Sequence, residues 1–191
     1  MTDLMRYTAM LIALIPSFQE QEQEFLLRQQ YDDSCGYAAV ATLLSCWHGS
    51  DVTEAQLLEE TLDSGEELSR TVSFADMAKL MNSRGVSSRG YRLEIEVLPE
   101  VCRQWGPVIC WDDKGTGHFF LLIGVTSSGD EPVYITADPN EGISFLSESA
   151  FNSRWSGRAL LSSADRPADK APYAALLRRL DAHERVHRRL R

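Results

Sequence analysis

Cys35 is the side chain of this 191-residue sequence best placed for nucleophilic chemistry. It follows the polar turn Asp32-Asp33-Ser34 and opens residues 35–48, where Tyr37, Ala38, Ala39, Val40, Ala41, Leu43, Leu44, Cys46 and Trp47 fall on nearly every face. That pattern predicts a helix buried all round, stopped by Gly49. A thiol at a helix N-terminus meets the positive end of the helix dipole, which favours the thiolate, the attacking form of cysteine. Gly36 beside it is expected to let a substrate backbone come close. Most free cysteines are buried packing groups. Cys46, Cys102 and Cys110, set in apolar runs, fit that bland role better than Cys35 does.

A nucleophilic cysteine needs a base, and the base needs an orienting partner. His118 is the histidine of the β-rich half and begins the run HFFLLIGV, while Asp138 ends the next run, PVYITAD. The segment Ser127-Ser128-Gly129-Asp130 between them reads as a hairpin connection. A turn centred near Ser128–Gly129 places His118 and Asp138 opposite each other, within one or two residues of slip. Their Cβ atoms would then lie about 5 Å apart. A strand-edge histidine and an aspartate before a proline are each unremarkable. Together with one nucleophile and one register, they form a constellation.

The residues around these positions carry a family likeness. The stretch Gln29-Gln30-Tyr31-Asp32-Asp33-Ser34-Cys35-Gly36-Tyr37-Ala38-Ala39-Val40-Ala41-Thr42-Leu43-Leu44 closely resembles the catalytic segment of C39-type cysteine peptidases. His118-Phe119-Phe120 and Ala137-Asp138-Pro139-Asn140-Glu141-Gly142 are similar to that family's other two motifs, so the likeness covers roughly residues 26–162. These are papain-like bacterial endopeptidases, best known for processing bacteriocin-type leader peptides after a double glycine. The resemblance implies Cys35 as nucleophile, His118 as base and Asp138 as orienting group. It also implies Gln29, six residues before Cys35, as the oxyanion donor beside the Cys35 backbone N–H; the adjacent Gln30 is off the family spacing. It implies acyl transfer through a thioester, with no metal or organic cofactor. Members fused to peptide exporters carry membrane spans and a nucleotide-binding domain. This sequence shows neither, nor a Gly-x-x-x-x-Gly-Lys-Ser/Thr loop, and so resembles the free-standing subtype that accompanies secretion and functional-amyloid export systems. The expected partners are therefore a peptide or protein substrate and a secretion-system component. A papain-like module that binds or chaperones a secretion substrate without cutting it is the alternative, and a transferase using the same acyl-enzyme is a third.

One competing motif fails on context. His183-Glu184-Arg185-Val186-His187 matches the His-Glu-x-x-His of zinc peptidases, but Arg185, Arg188 and Arg189 would repel a dication. The two histidines also fall on the stripe Tyr173, Leu176, Leu180, His183, His187, Leu190, the seam of an amphipathic helix. That seam explains the spacing without zinc.

The elements that must position Cys35, His118 and Asp138 are legible in outline. Thr53-x-x-Gln56 and Ser73-x-x-Asp76 are capping boxes, each with a staple pair, Val52 with Leu57 and Val72 with Met77. Helices are thus expected over about 35–48, 54–63 and 74–84. Strands are expected at 107–112, 118–125 and 132–138. Residues 91–98 alternate as a strand does, although Pro99 and Glu100 fit the opening of a short helix equally well. Helices first and sheet second is an α+β arrangement. The resemblance specifies it as a papain-like cysteine peptidase fold, N-terminal helices packed on an antiparallel sheet.

Composition bounds the rest. Hydrophobic residues at 43% and charged residues at 25% describe a globular chain. The net charge of −9 excludes a sequence-independent nucleic-acid binder, which needs surplus cations. Six arginines against Asp181 and Glu184 give residues 171–191 a balance of +4, leaving −13 on the preceding 170 residues. An acidic body of that kind favours basic or neutral peptides. Pro167 and Pro172 punctuate a small, polar stretch between body and tail. The expected domains are residues 1–24, an N-terminal apolar helix or signal-like segment; 25–163, the peptidase-like body; and 164–191, a linker and basic helix. Residues 7–18 have the length of a signal-peptide core, but Asp3 weakens the positive leader and no Ala-x-Ala-like cleavage site follows. A helix packed on the body, in a cytoplasmic protein, is the favoured reading; a working signal would place the protein in the periplasm or outside. No apolar stretch reaches the ~20 residues of a membrane span.

Overall fold

A computed structural model describes residues 25–65, 72–128 and 131–164, together with residues 178 and 182. The N-terminal segment 1–24, most of the basic tail and the His-Glu-x-x-His motif lie outside the described residues. Five α-helices are present among them: α1 Cys35–Thr42, α2 Glu54–Asp63, α3 Phe74–Asn82, α4 Leu98–Trp105 and α5 Glu148–Arg154. Six strands accompany them: β1 Val86–Arg92, β2 Val108–Asp112, β3 His118–Ser128, β4 Glu131–Asp138, β5 Gly142–Ser147 and β6 Arg158–Ala164. The strands form one sheet in the order β1-β6-β2-β3-β4-β5, with every neighbouring pair antiparallel.

The helices start where their caps dictate. Thr53 Oγ1 accepts the Gln56 N–H and Gln56 Oε1 accepts the Thr53 N–H, a complete capping box for α2. Ser73 and Asp76 close the same box on α3. All eight residues of α1 are buried, as the absence of a polar face predicts. Beyond Thr42 the helix does not keep its pitch to residue 48. It widens into a π-helical turn, Leu43–Trp47, closed by His48 N–H bonds to the Leu43 and Leu44 carbonyls.

The segment 91–98 resolves in favour of its helical alternative. Strand β1 ends at Arg92, a 3₁₀ turn occupies Ile95–Val97, and α4 follows with Pro99 in its first turn, where the missing N–H costs nothing. Alternation over eight residues does not separate a strand from a short turn followed by a helix.

Alternation along the strands divides the core in two. Phe119, Leu121 and Ile123 of β3, Ile109 of β2, Ile135 and Ala137 of β4 and Leu160 of β6 join α1, α2 and α3 on one face. Phe120 and Leu122, with Val108, Cys110, Tyr134, Ala159 and Leu161, meet Leu98 and Cys102 of α4 and Phe151 of α5 on the other. A sheet covered on both faces needs apolar residues at both phases, which is why HFFLLIGV is continuous rather than alternating. The α+β expectation holds, with α1 to α3 packed on the antiparallel sheet. It is extended by a second helical layer on the opposite face.

Candidate active site

The site is assembled at the ends of three elements. Asp33 takes a left-handed φ of 57°, a conformation aspartate tolerates, and turns the chain into α1. The Ser34 hydroxyl donates to the Tyr31 carbonyl at 2.6 Å and tightens this turn. Cys35 is then the first residue of α1 and is buried. Gly36 has a different role from the one its position suggested. A Cβ there would lie 2.2 Å from Val72 Cγ1, 2.5 Å from Met77 Cε and 3.1 Å from a Phe119 ring carbon. The glycine lets α1 press against α3 and β3 rather than admitting a substrate backbone.

His118 opens β3, and Asp138 closes β4. The strands pair Leu121 with Ala137, so the next pair in register is Phe120 with Asp138. The turn pairs Ser128 with Glu131, a register that would set Asp138 three residues from the position opposite His118. The bulge between Leu122 and Gly124 takes up one residue and leaves an offset of two. The two still share a face, and the imidazole reaches diagonally: His118 Nε2 lies 2.9 Å from Asp138 Oδ1. Cys35 lies close enough to His118 for its side chain to raise the pKa of the imidazole. With Nε2 committed to the aspartate, Nδ1 is the nitrogen left for sulfur. The structure therefore brings Cys35, His118 and Asp138 together at one site.

The electrostatics follow from burial and partners. Burial presses His118 towards the neutral form, but the hydrogen bond and charge of Asp138, with those of Cys35, overcome it and raise the pKa to about 10. Burial acts on Asp138 in the opposite sense from its partners; bonds from His118, the Asn140 N–H and Arg154 hold its carboxyl down at about 2. The two values describe one coupled pair. At neutral pH the imidazolium and carboxylate are both charged. Burial pushes the Cys46 thiol up to about 11, the Cys102 thiol to about 12 and the Cys110 thiol well above its ordinary value. All four cysteines are free.

Gln29 sits on a segment fastened residue by residue. Leu27 N–H donates to Thr42 Oγ1 at 3.0 Å, Arg28 Nη1 to the Asn140 carbonyl at 2.8 Å, Gln29 N–H to the Pro139 carbonyl at 2.9 Å, and Gln30 N–H to Glu54 Oε2 at 2.9 Å. The segment preceding Cys35 is thus tied to the loop following Asp138. The Gln29 side-chain amide donates to the Tyr31 carbonyl at 2.7 Å, which leaves its second N–H for another acceptor. Gln30 is exposed and takes part through its backbone.

One residue of the site was not anticipated from sequence. Arg154, at the end of α5, donates through Nη2 to Asp138 Oδ2 at 2.7 Å. Nothing local in ESAFNSR announces this contact, because it joins elements sixteen residues apart and depends on where α5 docks. Among the described residues no group of three or more His, Cys, Asp or Glu side chains is arranged to hold a metal ion.

Comparison with known proteins bears on family and fold. The Peptidase C39 family model matches residues 24–166. The probable functional amyloid protease FapD of Pseudomonas aeruginosa is 30% identical over 146 residues, covering 75% of this chain and 62% of that protein. Its namesake in Pseudomonas fluorescens is 30% identical over 152 residues, covering 78% of this chain and 65% of that protein. The chain thus spans less than two thirds of the length of these curated relatives. Among solved structures, the peptidase domain of Streptococcus ComA, a bi-functional ABC transporter of a quorum-sensing pathway, superposes with a TM-score of 0.61 at 20% identity, covering 74% of this chain and 99% of that one. A double glycine motif protease from an AMS/PCAT transporter, crystallised with a leader peptide, gives 0.55 at 21% identity, covering 72% and 89%. At such identities the solved structures speak for the fold, while the sequence model speaks for descent. The chain belongs to the Peptidase C39 family.

Proposed function

We propose that this protein is a cysteine endopeptidase that cleaves a peptide or exported-protein substrate with Cys35 as nucleophile, His118 as acid and base, and Asp138 as orienting group. The observation that carries the reading is the 2.9 Å bond from His118 Nε2 to Asp138 Oδ1 beside Cys35. The Cys35 thiolate attacks the scissile carbonyl carbon, forming the C–S bond. The resulting oxyanion is met by the Cys35 backbone N–H and the free amide N–H of Gln29. As the C–N bond breaks, the His118 imidazolium gives its proton to the leaving amine. Water then attacks the thioester, His118 takes a proton from it, and the carboxylic acid departs as thiolate is restored. Every step uses side chains of this chain, with no cofactor. The FapD likeness, carried by proteins described as functional amyloid proteases, supports a component of an amyloid export system as the substrate class.

Mass spectrometry of the secreted proteome with and without a Cys35→Ala substitution tests this directly. A cleavage product present with the wild-type protein and missing with the variant is expected. A variant that binds its partner and preserves the cellular phenotype would sink the peptidase reading and favour the non-cutting binding module.

A further inference from the structure

Asp138 is almost fully buried, with 1% of its side chain exposed, so both carboxylate oxygens must find partners inside the protein. The load is uneven. Oδ1 lies 2.9 Å from His118 Nε2 and accepts the Asn140 N–H at 2.9 Å and the Glu141 N–H at 3.1 Å. Oδ2 accepts from Arg154 Nη2 at 2.7 Å. Rotation of an aspartate about its terminal torsion is soft, with broad minima. Without a donor on Oδ2, that buried oxygen would turn towards the Asn140 and Glu141 amides or towards water, and Oδ1 would leave the imidazole.

Arg154 is built to prevent this. Its guanidinium spends three nitrogens on three carboxylates: Nη2 on Asp138, Nη1 on Glu141 at 3.5 Å and Nε on Asp112 at 3.6 Å. Its carbon lies 4.3 Å from the centroid of the Phe120 ring, a cation–π contact that fixes the plane of the fork. Asp112 is the register partner of His118 across β2 and β3, so Arg154 touches both the strand neighbour and the hydrogen-bond partner of the imidazole. The helix that carries it is anchored by Phe151, which stacks on Tyr134 at 4.6 Å in the second core. Among the described residues, the charged and titratable groups around the His118–Asp138 pair include Cys35, Asp112, Glu141 and Arg154, with Arg28 on the Asn140 carbonyl beside them.

We propose that Arg154 is a positioning residue: by capping Asp138 Oδ2 it holds the carboxylate plane in the orientation that presents Oδ1 to His118. This rests on the Cys35–His118–Asp138 reading above and adds the group that keeps the three in line.

The test uses two measurements that need no turnover: the His118 titration midpoint by NMR, and the rate of Cys35 alkylation by iodoacetamide at pH ~6. Arg154→Met should lower the His118 midpoint by about one pH unit or more. It should slow Cys35 alkylation roughly ten- to a hundredfold, the usual cost of misplacing a reacting group. Arg154→Lys restores a donor and a charge to Oδ2 and should recover most of both. Should the methionine variant fail to fold, Arg154→Ser carries the same comparison with a polar side chain too short to reach Oδ2. A folded neutral variant with an unchanged or raised midpoint would falsify the proposal. So would a lysine variant as impaired as methionine, since lost packing on Phe120 would then be the whole effect. The peptidase reading fails separately, if Cys35→Ala leaves peptide cleavage intact.

Discussion

The charge state of one histidine governs the site at the residue scale. With its pKa at about 10, His118 is an imidazolium throughout the neutral range, and Asp138 at about 2 is its fixed counter-charge. Replacing Asp138 by Asn removes the charge that outweighs burial, so the His118 midpoint should fall by several units, below its ordinary value of 6.5. An NMR titration of the imidazole checks this. The alkaline limb of kcat/KM should move down with it, and kcat at pH ~8 should drop about a hundredfold or more. Cys35 supplies a second prediction. Iodoacetamide at pH ~6 should label Cys35 ahead of Cys46, Cys102 and Cys110, because burial raises the pKa of the other three and His118 faces Cys35 alone. Uniformly slow labelling would argue against an activated nucleophile.

At the scale of elements, two close packings hold the reacting groups. Helix α1 approaches α3 and β3 only because Gly36 has no side chain. In Gly36→Ala, the helix-propensity gain of at most about 1 kcal/mol competes with overpacking of about 1–3 kcal/mol. The clash should win, because Val72 is β-branched and has few rotamers in which to retreat from a contact at 2.2 Å. Urea denaturation should show a lower midpoint with an unchanged m-value. Phe151 is the corresponding anchor of α5, fully buried and ringed by Phe120, Tyr134 and Trp155. Phe151→Ala should cost about 3–5 kcal/mol. It should also lower kcat in the fraction that stays folded, since α5 carries Arg154. The elements themselves were unevenly legible. The capping boxes at Thr53 and Ser73 and the strands around His118 and Asp138 are local signals, and they stand where they were expected. The strands β1, β5 and β6 and helix α5 have no comparable signal. Val86–Arg92, for instance, is largely polar and exposed along VSSRGYR, and pairing with β6 gives it its conformation.

For the whole molecule, the same ion pair links stability to pH. The His118 contribution is fully present below pH 6.5 and is lost as pH rises towards about 10. The Asp138 contribution is present above pH 3.8 and is lost as pH falls towards about 2. Melting temperature should therefore fall from neutral to alkaline pH in the wild type, and less steeply in Asp138→Asn. The sequence by itself marked the candidate groups: a thiol opening an apolar helix, a histidine and an aspartate on successive strands, and a family motif around each. Those signals are local, set by helix termini, caps and alternation within one or two elements. Only the tertiary structure decided how the three groups meet. The β3 bulge put His118 and Asp138 on one face for a diagonal contact, the second helical layer explained a strand apolar at both phases, and docking of α5 brought Arg154 onto the buried carboxylate. Each depends on contacts between segments far apart in the chain, where the spacing of residue types carries no record of distance.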